Sequence, residues 1–159
     1  MFYFILSILI IFVVFLLKSK NSLQHSKKQK EILYFKKPLV TEQEKYFFNI
    51  LVNNFFDYYI IPQTNLASII NKKKEFNKQW QNELYRNIDF AIINKTTFLP
   101  ELLIEINDKT HNPKSRIERD KKVRQICLDA KINLITFYSN MPNKESYIID
   151  RIKSELEKR

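Results

Sequence analysis

Two carboxylates stand where apolar strands should be continuous. Glu105 interrupts "LLIEIN" at 102–107, and Asp89 interrupts "NIDFAII" at 87–93. Burying an unpaired charge costs several kcal/mol, roughly, so each acid needs a proton or a cation beside it. Along an extended strand, Leu103, Glu105 and Asn107 share one face, and Leu102, Ile104 and Ile106 share the other. Glu105 and Asn107 therefore point to the same side, about 6 to 7 Å apart. A hard divalent cation satisfies two such acids, because Mg²⁺ (or Mn²⁺) takes a few carboxylate oxygens and completes its shell with water or phosphate. Such an ion activates water and neutralises charge on a phosphodiester. The competing reading makes Asp89 and Glu105 structural carboxylates paired with Arg86 or Arg119.

The elements that must position these acids follow from periodicity. Thr41 and Glu44 form a capping box ahead of a helix whose Phe48, Leu51 and Phe55 lie on one stripe. Glu44 is explained as a cap, yet the stripe also turns it toward the interior. Four strands are expected at 58–63, 87–93, 102–106 and 132–138, each short and rich in β-branched or aromatic residues. Ser115 and Glu118 give a second capping pattern, for a helix carrying Val123, Ile126, Cys127 and Ala130. A last helix begins near Asn143 and carries Ile148, Ile149, Ile152 and Leu156. The fold class is α/β, with a mixed sheet covered by helices on both faces. The stretch from Leu66 to Arg86 fits least well and reads as a functional loop, a partly helical insertion or a flexible excursion. Within it, Trp80 and Tyr85 among lysines are a base-stacking loop or a solvated basic insertion.

The order Asp89, a hairpin, then Glu105-x-Asn107 resembles the PD-(D/E)XK (restriction endonuclease-like) nuclease superfamily. Within it, "IDFAIINKTTFLPELLIEINDKTHNPKSRIERDKK" and "AKINLITFY" are similar to an uncharacterised bacterial group, a domain of unknown function resembling very-short-patch-repair endonucleases. The resemblance covers roughly residues 36–138. It implies an α-β-β-β-α-β core and Mg²⁺-dependent hydrolysis of nucleic-acid phosphodiesters, DNA first among them. It implies metal-binding roles for Asp89 and Glu105, an acidic first-helix role for Glu44, and a base near the metal for His111. As a loop residue before "NPKS", His111 is otherwise merely exposed. Asn107 stands where the superfamily has lysine, and Lys109, Lys121 or Lys122 would then supply the positive charge and contact phosphates. The same departure favours an alternative: a catalytically degenerate module that binds nucleic acid or protein.

Composition sets the surroundings. The 159 residues carry a formal net charge of +10, with no glycine and one cysteine, Cys127. A lone cysteine excludes an internal disulfide and a multi-cysteine zinc site, and positive-φ positions are expected to fall to Asn or Asp. A strongly basic balance favours a polyanionic partner. Residues 1–17 contain the uncharged run "FYFILSILIIFVVFLL", which spans roughly 25 Å as a helix. Without a basic segment before it or a small-residue cleavage site after it, the run reads as a transmembrane anchor rather than a signal peptide. Lysines follow it and none precedes it, which leaves the domain on the cytoplasmic side of a bacterial inner membrane. Residues 18–37 form a basic juxtamembrane stalk suited to anionic lipid headgroups, and residues 38–159 form the nuclease-like domain. Anchor and stalk together also fit a membrane-surface interaction protein with no nucleic-acid ligand.

Overall fold

The computed structural model describes residues 2–25, 33–73, 80–107 and 114–158. The chain divides into two units, Met1–Lys37 and Pro38–Arg159. The first contains helix α1, Phe2–His25, which continues past the uncharged run into the segment expected to be a stalk. No proline or glycine interrupts the chain there, so nothing stops the helix at Leu17. From Ile8 to Leu17 each residue exposes at least 45% of its surface. The expected spanning helix is met only in part: a continuous helix is there, but among the described residues none is long and apolar enough to cross a membrane. Its uncharged run falls short of a hydrocarbon core about 30 Å thick.

The second unit is α2 (Glu42–Asn54), β1 (Tyr58–Asn65), α3 (Gln81–Leu84), β2 (Asn87–Asn94), β3 (Pro100–Asn107), α4 (Lys114–Asp129), β4 (Asn133–Tyr138) and α5 (Glu145–Leu156). The strands form one mixed sheet in the order β1-β2-β3-β4, antiparallel except for the parallel β3–β4 pair. The parallel pair needs a crossover, and α4 supplies it. Phe47, Ile50 and Leu51 of α2 and Ile148 and Ile152 of α5 pack with Phe90, Ile92, Leu102, Ile104 and Phe137 on one face. Val123 and Cys127 of α4 pack with Ala91, Leu103 and Leu134 on the other. The α/β fold with helices on both faces thus follows the apolar periodicity, and Leu102, Ile104 and Leu103 take the faces that strand alternation assigns them.

Two local expectations are corrected and one is met. Ser115 lies inside the first turn of α4, which already begins at Lys114, so it is not the cap of that helix. Among its described residues the Leu66–Arg86 stretch is partly helical, as one of its readings had it, with a 3₁₀ turn at Leu66–Ser68, capped by the Asn65 side chain, and the four-residue α3. Positive φ falls on Gln63, Trp80, Phe98 and Lys131 among the described residues, none of them Asn or Asp. Lys131 shows why at α4, where Ile132 N–H reaches Cys127 O at 2.9 Å and Lys131 N–H reaches Leu128 O at 2.9 Å. That is a Schellman ending, and the burial of Ile132 beside Cys127 outweighs the αL preference of the residue between them.

Candidate metal and phosphodiester site

β2 and β3 pair from Ile93↔Pro100 to Phe90↔Ile104. One position further the register would set Asp89 opposite Glu105, and there the ladder opens, while β3 stays paired with β4 as far as Asn107↔Tyr138. Ile106 N–H, turned toward β2, donates to Asp89 Oδ2 at 2.6 Å. The carboxylate thus substitutes for a strand carbonyl and satisfies a backbone group that the opening would orphan. Burial pushes the Asp89 carboxyl up to about 6, against the pull of the Ile106 bond, and the charges of Glu44 and Glu105 add to the rise.

Glu44 belongs to this cluster while also capping α2. Its Oε2 accepts from Thr41 N–H at 2.6 Å, and Glu44 N–H donates to Thr41 Oγ1 at 3.2 Å, completing the box. Its Oε1 accepts from Gln63 Nε2 at 3.3 Å, and its carboxylate is one of the groups that raise Asp89. Gln63 reaches Glu44 from a left-handed position in β1, φ 51°, between the paired residues Pro62 and Thr64. The two readings of Glu44 are therefore compatible.

Glu105 lies on the α4 face. Burial raises its carboxyl, and Asp120 adds to that, while the Asn107 hydrogen bond and the charges of Arg86 and Arg124 oppose it. Asn107 Nδ2 donates to Glu105 Oε2 at 3.3 Å, and Asn107 Oδ1 accepts from Arg116 Nη2 at 3.3 Å. Arg116 and Arg119 hold Asp120 at 3.9 and 3.2 Å. Among the described residues no cation lies within ion-pair distance of Asp89 or Glu105. The pairing of these acids with Arg86 or Arg119 is thus reduced to a longer-range influence of Arg86 on Glu105. Cys127, buried in the same layer, has its thiol pushed up to about 12 by burial and by Glu105, which leaves it protonated and inert at neutral pH.

The structure brings Asp89, Glu105, Asn107 and Glu44 together. Lys121 and Lys122 are held elsewhere on α4, by Glu118 at 2.9 Å and by Glu83 of α3 at 3.3 Å. His111 and Lys109 lie outside the described residues. Gln63, Arg116 and Arg124 join the site without having been singled out from sequence as part of it. Arg116 had a signal, its i,i+4 spacing to Asp120, whereas Gln63 and Arg124 depend on tertiary placement.

Oxygen-rich donors suit a hard cation and exclude a soft one. No group of three or more His, Cys, Asp or Glu is arranged to hold a metal among the described residues. The two acids across the open end of the ladder are Asp89, whose Oδ2 accepts from Ile106 N–H, and Glu105, whose Oε2 accepts from Asn107 Nδ2. One or two carboxylates with water and substrate phosphate is the usual Mg²⁺ complement, so the pair fits that ion.

A family described as "Protein of unknown function (DUF2726)" matches residues 36–158, and the chain belongs to it. No curated protein and no solved structure matches the chain.

Proposed function

We propose that this DUF2726 chain is a metal-dependent nuclease-like protein of the PD-(D/E)XK type that hydrolyses nucleic-acid phosphodiesters, DNA first among them, and is attached to a membrane through α1. The observation that carries the reading is the opening of the β2–β3 ladder at Asp89 and Glu105, two partly buried acids with no cation within ion-pair distance among the described residues. Setting aside the short α3 between β1 and β2, the order α2-β1-β2-β3-α4-β4 is compatible with the α-β-β-β-α-β core that the resemblance implies.

Asp89 and Glu105 would hold Mg²⁺ or Mn²⁺, which when bound supplies Lewis acidity and charge neutralisation at the phosphodiester. The chain's own residues prepare that place. Ile106 N–H fixes the Asp89 carboxylate, and Asn107 fixes that of Glu105. Glu44, anchored by Thr41 and Gln63, adds negative potential that favours a cation over an empty site. Arg116 brings to Asn107 the positive charge that asparagine lacks, within reach of an anionic transition state. His111 is assigned the role of base near neutral pH on the resemblance alone. α1 is assigned to the membrane on its exposed apolar surface from Ile8 to Leu17, with its following lysines placing the domain in the cytoplasm.

Asn107 supports a second reading, a degenerate module that binds nucleic acid or protein without cleaving. Cleavage of labelled single- and double-stranded substrates with Mg²⁺ or Mn²⁺ separates the two. The nuclease reading expects cleavage that EDTA abolishes and that Glu105→Ala and Arg116→Ala each reduce at least about a hundredfold. Metal-independent or undetectable cleavage by the wild-type chain contradicts it.

A further inference from the structure

We infer that the outer edge of β4 is a second, anion-binding part of the site, a groove that takes the phosphodiester backbone of the bound strand. This rests on the nucleic-acid reading and extends it from Arg124, which already acts on Glu105, to Arg151 and the edge of β4. The groove encloses about 370 Å³, and its lining includes Arg124 of α4, Arg151 of α5, Asn133, Thr136 and Tyr138 of β4, and Glu155. That is room for about one nucleotide-sized group.

Its charge is one-sided. Arg124 donates through Nη1 to Leu134 O at 3.1 Å and through Nη2 to Thr136 Oγ1 at 3.2 Å, which orients the guanidinium along the strand edge. Arg151 lies over the Phe137 ring at 4.8 Å and reaches Tyr147 Oη at 3.4 Å. Each guanidinium has five donors, so both keep several for a ligand. Among the described residues neither forms an ion pair, while the one acid in the groove, Glu155, is engaged by Lys158 at 2.7 Å. Two arginines from helices on opposite faces of the sheet therefore meet at one groove without a close ion-pair partner among the described residues, Arg124 feeling Glu105 only at longer range, a fork geometry suited to phosphate oxygens.

Position ties the groove to the carboxylates. Thr136 is the register partner of Glu105, and Tyr138 of Asn107, on the adjacent parallel strand. Neighbouring strands lie about 4.8 Å apart, so β4 is one strand from Glu105 on β3 and two from Asp89 on β2. Arginines at an exposed strand edge also prevent edge-to-edge pairing, and that role alone predicts no effect on nucleic-acid binding.

The test is fluorescence anisotropy of a short labelled single-stranded oligonucleotide with the full chain in mild detergent and EDTA, across a salt series. Each phosphate contact contributes about 0.7 to the slope of log affinity against log salt for single strands. Arg151→Gln is expected to lower the slope by about 0.7, and the Arg124→Gln/Arg151→Gln pair by about 1.4, with at least a tenfold loss of affinity. Arg124→Lys/Arg151→Lys keeps the charge and is expected to keep most of the slope, which separates charge loss from misfolding. A wild-type chain that does not bind, or a folded double glutamine variant with the wild-type slope, overturns the proposal. If the wild-type chain binds but does not cleave with Mg²⁺ or Mn²⁺, hydrolysis falls and the groove stands. If it cleaves and the glutamine variants bind as wild type does, the groove alone falls.

Discussion

Adjacent rungs of one ladder differ completely in what they do. Phe90 and Ile104 pair directly, are fully buried and anchor the layer beneath α2 and α5. One residue on, Asp89 and Glu105 face an opening, resist ionisation and have no ion-pair partner among the described residues. The first rung stabilises the fold, whereas the second opposes it at neutral pH and is tolerable only if something else compensates its charge. Acids that weaken the sheet next to its best-packed residues are what the proposed cation site requires of this rung.

The contrast is open to direct attack. Phe90→Ala removes a buried ring and leaves a cavity, and is expected to lower unfolding free energy by about 3 to 5 kcal/mol in urea titration. Asp89→Asn is expected to act in the opposite direction. An acid whose folded pKa exceeds its unfolded value binds more protons when folded, so its contribution is intact below the unfolded value of 3.8 and is lost as pH rises through about 6. Asparagine keeps an oxygen for Ile106 N–H without the charge. The variant should therefore gain about 1 to 3 kcal/mol at pH 7.5 and nothing below pH 4, read from melting curves across pH. A variant less stable than wild type at both pH values would show that the second rung is structural.

Two smaller substitutions calibrate those effects. Thr41→Ala removes the hydroxyl that caps α2 and is expected to destabilise by about 1 kcal/mol. It leaves the backbone N–H that holds Glu44, so metal binding should change little. Lys131→Gly places glycine at the left-handed position that ends α4, φ 58°, and is expected to stabilise by about 0.5 to 1 kcal/mol. Equilibrium denaturation measures both.

Much of the site was legible in the sequence because its signals are local. Strand alternation placed Glu105 opposite in sense to Ile104 and Ile106, and two acids inside apolar runs marked the cluster before any pairing was known. The T-x-x-E spacing marked the start of α2 and made Glu44 a shared residue. What stayed hidden depends on contacts between distant segments. Gln63 reaches Glu44 only because β1 kinks at a left-handed residue, and no local propensity puts glutamine there. Arg124 meets Thr136 twelve residues away only once the crossover is formed. The cap expected at Ser115 failed because Ser115 is already helical in an α4 that begins at Lys114.

The central claim is that the second rung is a cation site, and calorimetric titration of Mn²⁺ or Mg²⁺ into the chain, wild type beside Glu105→Ala, tests it most directly. Binding at one site by the wild type, lost or weakened at least about a hundredfold in the variant, is the predicted result. A wild-type chain that takes up no metal, or a variant that binds as tightly as wild type, would contradict it.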